Sequence, residues 1–114
     1  GVLNINNLRD FETDKMTGKI TLVVRMGLRH AKFYHSQLLF CALLCSVGFF
    51  ILEFYTVYCI GLAPVAILFI RNIRLVHDAK VAEDYFPLLK QLSISVLVLA
   101  IIYFVSAFTY SMTI

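Results

Sequence analysis

The chain has 114 residues, 61% of them hydrophobic, and a formal net charge of +3 at pH 7. Only 15% of the residues are charged, whereas soluble domains carry about 25%. The composition therefore argues against an ordinary soluble domain and predicts an all-α membrane protein whose partners include the lipid bilayer. No nucleic-acid partner is expected.

The first polar stretch reads NNLRDFETDK and carries three carboxylates within five positions. Written as a helix, Asn6, Asp10 and Asp14 recur every four residues and project from one face, whereas Glu12 lies off that stripe. An ordinary solvated loop rich in both signs of charge is the alternative, because D-x-x-x-D is a weak motif by itself. An EF-hand is excluded, since Lys15 stands where its loop requires Gly.

The paired carboxylates must be neutralised, because like charges some 6 Å apart repel by roughly 3 kcal/mol at an effective dielectric near 20. Local bases are one solution: Lys15 and Lys19 are close in sequence, and Arg9 is expected as a counter-ion for one of the two acids. A hard divalent cation such as Mg²⁺ is the other, because it takes oxygen ligands and often combines one or two carboxylates with substrate phosphates.

A basic, amphipathic stretch follows the carboxylates. Thr21, Arg25 and Arg29 recur every four residues beside the apolar residues of ITLVVRMG. We expect this segment to lie along the membrane surface with its bases toward headgroups or an anionic ligand. Together with Lys19 it places bases for an anion beside acids for a metal, and a diphosphate carried on a lipid tail needs both.

Three apolar stretches follow, each expected to cross about 30 Å of hydrocarbon. They cover residues 33–52, 54–70 and 88–113. Glu53 marks the turn between the first two, Pro64 is expected to kink the second, and Pro87 suits the first turn of the third. The sequence therefore predicts three transmembrane helices.

The basic residues predict the orientation. Every Lys and Arg lies in residues 1–32 or 71–90, the segments on one side of the three spans. Since positive charge near span ends favours the cytoplasmic side, we expect both segments in the cytoplasm. The N-terminus lacks the pattern of a signal peptide, and GVLNI looks like the last turn of a longer helix.

Cysteines and histidines show no metal-ligand spacing. Cys41 and Cys45 lie one helical turn apart, too far for an unstrained disulfide, and with Cys59 they are expected to be small packing residues. His30 and His35 are expected at the membrane interface.

The stretch NNLRDFETDKMTGKITLVVRMG resembles the second aspartate-rich motif of the UbiA-type membrane prenyltransferases. Its spacing, N-N-x-R-D-x-x-x-D-x-x-x-G-K-x-T-L-x-V-R-x-G, is most similar to the branch that prenylates 1,4-dihydroxy-2-naphthoate in menaquinone biosynthesis. The segment YFPLLKQ resembles the N-P-L-L-K start of the last helix in that branch, with Phe86 where Asn is usual. The resemblance covers residues 1–32 well and the remainder by its helix pattern.

The resemblance implies nine transmembrane helices around a central cavity, with two aspartate-rich motifs facing each other at the cytoplasmic mouth. Only the second motif is present, so the chain is expected to be the C-terminal part of such an enzyme, completed by its N-terminal half and inactive alone. The implied reaction is Mg²⁺-dependent transfer of a polyprenyl group from polyprenyl diphosphate to 1,4-dihydroxy-2-naphthoate, giving demethylmenaquinone, CO₂ and diphosphate. The implied location is the bacterial inner membrane.

Carried over position by position, the resemblance implies that Asp10 and Asp14 are the catalytic pair and bind Mg²⁺. Asn6 supports them, and Lys19 contacts the diphosphate. Arg25 is a second diphosphate contact or, alternatively, a headgroup anchor.

Several aromatic residues are candidates for shielding an allylic cation, although packing or lipid contact is the simpler expectation for each. They are Phe49, Phe50, Phe54, Phe69 and Tyr103. Arg71 and Arg74, one turn apart after the second span, are expected to anchor that helix or to bind an acidic acceptor.

Two alternatives stay open. Within the family, the acceptor is another aromatic compound such as 4-hydroxybenzoate. From a different class of protein, the chain belongs to a noncatalytic membrane protein whose acidic loop binds cations.

Overall fold

The computed structural model describes the backbone of residues 1–53 and 56–112 and their side chains except at residues 56–58. Within these ranges the structured elements are all helical, and the all-α prediction is confirmed. The start of the predicted second span, with Phe54, and the end of the third, residue 113, lie outside the described residues.

Three short helices come first: α1 (Val2–Arg9), α2 (Phe11–Met16) and α3 (Leu22–Met26). Three long helices follow: α4 (Leu28–Glu53), α5 (Ala63–Asp78) and α6 (Tyr85–Ser111). Short 3₁₀ helices, Thr56–Leu62 and Ala82–Asp84, precede α5 and α6.

Three helical stretches are long and apolar enough to cross a membrane, as predicted: Leu28–Glu53, Cys59–Asp78 and Ala82–Ser111. The first stretch begins before the apolar run 33–52 that predicted it. The second ends after the apolar run 54–70. Arg29 and Arg71 fall in these extensions, because arginine is a good helix former that a hydropathy boundary leaves out.

The long helices share one core with α1. Ile5 and Leu8 of α1 are buried in the same cluster as Phe69 of α5 and Leu92 of α6. At most 28% of each span is buried inside the protein, and side chains such as Phe104 lie exposed. Apolar surface of this extent suits lipid or neighbouring transmembrane helices as its surroundings.

The cysteines are free, as the disulfide argument predicted. Cys41 and Cys45 are exposed on this chain and Cys59 is half-buried. Because the exposed surface of the spans suits neighbouring helices or lipid, packing by these cysteines stays a prediction. Within the described residues, the buried face of α4 is the one that carries Leu39 and Ser46, and the two cysteines lie off that face.

A buried polar contact ties the three long helices together. The Nε2 atom of His35 on α4 lies 3.0 Å from Oδ1 of Asn72 on α5, and Asn72 Nδ2 donates to the Leu88 carbonyl of α6 at 3.0 Å. His35 and Asn72 are both fully buried. The interfacial location expected for His35 is therefore wrong: its ring points into the bundle, where a polar group without a partner is costly and Asn72 supplies one.

The two prolines both lie at helix starts. Pro64 lies inside the spanning stretch Cys59–Asp78, as predicted. It stands in the first turn of α5, directly after the 3₁₀ helix Thr56–Leu62, so the chain changes helix type there and the predicted kink within a continuous helix is wrong. Proline lacks the N–H that an interior position needs, but at the first turn that group has no partner in the helix. Pro87 lies in the first turn of α6, as predicted.

The two basic segments meet at one end of the bundle, called here the polar end. Asn4 Nδ2 of α1 donates to the Ala31 carbonyl of α4 at 3.1 Å. Lys32 Nζ of α4 donates to the carbonyl of His77 at 3.2 Å, near the end of α5. The segments before the first span and between the second and third therefore lie on the same side, as the orientation argument requires.

Candidate functional site

The acidic motif runs through a junction of two helices. α1 ends at Arg9, Asp10 occupies the junction with φ −90° and ψ 6°, and α2 begins at Phe11. The Asp10 N–H donates to the Asn6 carbonyl at 3.0 Å, and the Asp14 N–H donates to the Asp10 carbonyl at 2.8 Å. Helical hydrogen bonding therefore crosses the junction, and Asn6, Asp10 and Asp14 keep their one-turn spacing.

Asp10 is paired with its neighbour Arg9. The guanidinium Nε and Nη2 donate to the two carboxylate oxygens of Asp10 at 2.7 and 2.9 Å. These hydrogen bonds lower the pKa of Asp10 and raise the pKa of Arg9. The counter-ion role predicted for Arg9 is confirmed.

Gly18 ends α2 with a left-handed turn. Its φ is +73°, its N–H donates to the Lys15 carbonyl at 3.4 Å, and the Lys19 N–H donates to the Asp14 carbonyl at 2.9 Å. This pair of hydrogen bonds is a Schellman helix end, in which glycine adopts the left-handed conformation without a Cβ clash. The turn brings Lys19 back beside Asp14.

Asp14 is the buried member of the pair. Lys19 Nζ lies 3.1 Å from Asp14 Oδ1, and the side chains of Asp14 and Lys19 are 7% and 63% exposed, respectively. The second oxygen, Oδ2, is buried and has no hydrogen-bond partner among the described residues. A buried carboxylate oxygen without a partner is costly, so this atom marks a place for a donor or a cation.

The oxygens available here suit Mg²⁺. Asp14 Oδ2 is unpartnered, and each Asp10 oxygen that accepts from Arg9 retains further acceptor capacity. Over residues 1–53 and 56–112, no three His, Cys, Asp or Glu side chains come together as a metal cluster. Two carboxylates with water and substrate phosphate are a usual way to bind Mg²⁺, so the residues present fit that ion.

The other predicted site residues lie at the edge of this pair. Asn6 is half-buried one turn before Asp10, and Lys19 is close enough to Asp10 to help lower its pKa. Arg25 is exposed in the last turn of α3 and, within the described part of the chain, forms no ion pair. The structure therefore groups Asp10, Asp14 and Lys19, and among the described residues Arg25 forms no ion pair with either acid.

The basic stretch after Lys19 is divided between two helices, and its position along the membrane surface stays a prediction. Gly27, with φ +78°, separates α3 from α4, and Arg29 lies in the first turn of α4. Val23 of α3 is fully buried in the core. A left-handed glycine interrupts the helix, and burial of Val23 ties α3 to the bundle.

The aromatic candidates pack within the bundle or face outward. Phe50 is fully buried and stacks on Tyr103 with ring centroids 4.9 Å apart, while Phe49 meets the same ring at 5.3 Å. These three residues lie toward the ends of α4 and α6 that are remote from the polar end. Phe69 is buried in the core, so packing is confirmed for Phe50 and Phe69.

A cavity of about 610 Å³ opens between α5 and α6 at the polar end. Arg71 lines it together with the acidic side chains Asp78, Glu83 and Asp84, above apolar walls that include Leu88. Anchoring of the helix or binding of an acidic acceptor by Arg71 stays a prediction.

Two contacts at the polar end were missed by sequence reasoning. The guanidinium carbon of Arg9 lies 5.1 Å from the centre of the Phe86 ring on α6, and Lys32 caps the end of α5. Both join residues far apart in the chain, so no local pattern indicates them. The replacement of the usual Asn by Phe86 is the single hint for the first.

Curated relatives match most of the chain. The 1,4-dihydroxy-2-naphthoate octaprenyltransferase of Haemophilus influenzae is 36% identical over 104 residues, covering 90% of this chain and 33% of that protein. The protein of the same name from Mycobacterium leprae is 34% identical over 101 residues, covering 88% of this chain and 33% of that protein. The one from Escherichia coli is 46% identical over 57 residues, covering 50% of this chain and 18% of that protein.

No family model matches the chain, and no solved structure matches it. The chain spans about a third of the length of the Haemophilus and Mycobacterium relatives, in agreement with the C-terminal portion expected from the motif. This chain therefore belongs to the family of prenyltransferases that its aspartate-rich motif resembles, and corresponds to one part of them.

Proposed function

We propose that the full-length protein containing this chain transfers a polyprenyl group from polyprenyl diphosphate to 1,4-dihydroxy-2-naphthoate in a Mg²⁺-dependent reaction. The products are CO₂, diphosphate and the hydroquinone form of demethylmenaquinone, and the quinone itself forms only when this hydroquinone later loses two electrons to a separate oxidant. The names of the relatives support the acceptor. The structural observation that carries the proposal is the buried, unpartnered Asp14 oxygen beside Lys19 and one turn from Asp10.

In this proposal Asp10 and Asp14 hold Mg²⁺ through their carboxylate oxygens. When bound, the ion supplies positive charge that retains the donor diphosphate and stabilises it as it leaves. Lys19 spends one donor on Asp14 Oδ1, and because an ammonium group has three donors, others remain for a diphosphate oxygen. Asn6 supports the pair from one turn away, and Arg25 is an outer diphosphate contact.

The transfer breaks the allylic C–O bond of the donor, and its electron pair leaves with diphosphate. The ring carbon that bears the carboxylate then bonds to the prenyl cation, and loss of CO₂ returns electrons to the ring. The part of this chain is to bind and neutralise the leaving group, since its carboxylates and Lys19 lie together at the polar end. The N-terminal half of the protein supplies the first aspartate-rich motif and completes the cavity.

We place the protein in the bacterial inner membrane with the polar end in the cytoplasm. The support is the location of every Lys and Arg in two segments that contacts such as Lys32 to His77 hold at one end, because basic residues favour the cytoplasmic side. Cysteine introduced at Thr13, in a variant without the native cysteines, should react with an impermeant thiol reagent in inverted vesicles and not in intact spheroplasts. The reverse pattern would contradict this orientation.

The test of the proposed reaction uses the full-length protein in lipid nanodiscs with a radiolabelled polyprenyl diphosphate. Three acceptor conditions are compared: 1,4-dihydroxy-2-naphthoate, 4-hydroxybenzoate and no acceptor. Each is run once with Mg²⁺ and once with excess EDTA. We expect a prenylated product and CO₂ only in the reaction that contains both the naphthoate and Mg²⁺. Product with 4-hydroxybenzoate but not the naphthoate would reassign the acceptor, and no product with either acceptor would remove the enzymatic proposal.

A further inference from the structure

Arg9 connects the candidate site to the start of α6. On one side its Nε and Nη2 donate to both oxygens of Asp10. On the other, its guanidinium carbon lies 5.1 Å from the centre of the Phe86 ring. Neither Arg9 nor Phe86 has a part in the proposed reaction so far, although together they are the link between Asp10 and a transmembrane helix.

Asp10 needs such a link more than Asp14 does. The side chain of Asp10 is 39% exposed, so little packing restricts its rotamer, whereas the carboxylate of Asp14 is enclosed. A bidentate guanidinium fixes the plane of a carboxylate as well as its charge. An aromatic ring face in turn favours one location of the guanidinium within about 6 Å of its centre.

We infer that Arg9 is a positioning residue that fixes the Asp10 carboxylate for a bound divalent cation, and that Phe86 positions Arg9 from α6. The inference rests on the proposed function only in that Asp10 binds a cation. The competing explanation is an ordinary surface ion pair, which contributes little to stability and nothing to cation binding.

The first measurement is the affinity of the full-length protein in nanodiscs for Mn²⁺ alone, a Mg²⁺ analogue visible by electron paramagnetic resonance. Phe86→Leu keeps every charge and removes the ring face, and we expect it to weaken Mn²⁺ binding about threefold, the size of an exposed cation–π contact. Phe86→Tyr restores a ring and should bind like the unmodified protein. Phe104→Leu, which replaces an exposed phenylalanine elsewhere on α6, is the matched control and should have no effect.

The second measurement asks whether Phe86 acts through Arg9. Arg9→Lys keeps the charge but loses the two-pronged geometry, and it should weaken Mn²⁺ binding on the order of fivefold. Arg9→Gln removes the guanidinium charge and with it the repulsion between Arg9 and Mn²⁺, so its own effect on affinity has no single cause. It is therefore used only as the variant in which Phe86→Leu is tested a second time. In that background Phe86→Leu should change the affinity no further, because contacting residues that act together are non-additive.

Unchanged Mn²⁺ affinity in Phe86→Leu or Arg9→Lys would overturn the inference, as would a threefold effect of Phe86→Leu that persists beside Arg9→Gln. A lower melting temperature with unchanged affinity would assign Arg9 to the surface ion pair and also overturn it. Failure of the unmodified protein to bind Mn²⁺ has the same consequence. If Mn²⁺ binding follows the expected pattern but no prenylated product forms with any acceptor, the proposed function fails and the positioning role stands.

Discussion

Asp10 and Asp14 belong to the same motif and yet lie in opposite surroundings. Asp10 lies at a helix junction with a 39% exposed side chain, and adjacent Arg9 occupies both of its oxygens. Asp14 has a 7% exposed side chain, pairs through one oxygen with Lys19 and keeps the other buried without a partner. Asp10, exposed and paired with Arg9, therefore lies one helical turn from Asp14, which is buried.

The difference assigns the two acids different parts in the proposed site. A water-exposed ion pair is screened and contributes at most about 1 kcal/mol, whereas the buried Asp14 carboxylate has lost its water and has one oxygen without a partner, so a cation there replaces an interaction that is missing. Asp14 is therefore the position at which the proposed metal gains most, and Asp10 is the position whose geometry depends on its neighbours. The predictions that follow alter one side of this comparison at a time.

The largest effect is expected from Asp14→Asn in the full-length protein. The change keeps the shape of the side chain but removes the charge that faces Lys19 and the proposed Mg²⁺. We expect prenyl transfer to fall by at least about a hundredfold, the scale of losing a preorganised electrostatic contact, and by more than in Asp10→Asn. The measurement is the rate of product formation in membranes with matched protein levels.

Glu12→Gln is the control for that loss, because Glu12 is exposed and off the stripe. It removes a carboxylate from the same helix and should leave the rate within about twofold of the unmodified protein. A substantial rate in Asp14→Asn, or an equal loss in Glu12→Gln, would remove the special role given to Asp14.

Sequence reasoning reached the parts of this comparison that depend on local pattern. Charge-poor stretches predicted three spans, and four-residue spacing grouped Asn6, Asp10 and Asp14. The buried state of Asp14 was out of reach, since burial depends on tertiary contacts that the spacing along one helix does not give. His35 and Pro64 were misplaced for a related reason: hydropathy gives neither the partner across the bundle nor the residue at which a helix starts.

Gly18 forms the turn that brings Lys19 beside Asp14, and Gly18→Ala should give the next largest effect. No atom lies within 4 Å of an added Cβ there, so the cost is conformational, about 1 to 2 kcal/mol for an L residue in the left-handed region. The strained turn would carry Lys19 away from Asp14. We expect the KM for polyprenyl diphosphate to rise about fivefold, with a smaller rise for Gly18→Asn because Asn tolerates this conformation better.

Gly27→Ala is the matched control for Gly18. Gly27 has φ +78° and equally open surroundings, and its ψ of 157° lies in a region that essentially only glycine adopts. The substitution therefore brings at least as much strain, but it lies between α3 and α4. It should lower the melting temperature at least as much while leaving the KM for the diphosphate near its original value. Equal KM changes in the two variants would show that general destabilisation, rather than the location of Lys19, is responsible.

The smallest effect concerns the Asp10 side and is a dependence of stability on pH. Because hydrogen bonds from Arg9 lower the pKa of Asp10 in the folded protein, the pair stabilises the fold above the pKa of an unfolded Asp, about 3.9. This contribution is lost as the pH falls through the lower, folded pKa. Arg9→Gln should therefore reduce the free energy of unfolding at pH 7 by at most about 1 kcal/mol, since the pair is exposed.

The reduction in Arg9→Gln should shrink below pH 4 and also at high salt, which screens exposed charges. Thermal unfolding of the detergent-solubilised full-length protein, measured from pH 7 down to the lowest pH at which it stays folded, gives the difference between the two proteins. A difference that stays constant with pH and salt would mean that Arg9 stabilises the fold through contact of its side chain with Phe86 and not through its charge on Asp10. In that case α6 would hold Arg9 in place while Asp10 remained unrestrained, and the two carboxylates would differ in burial alone.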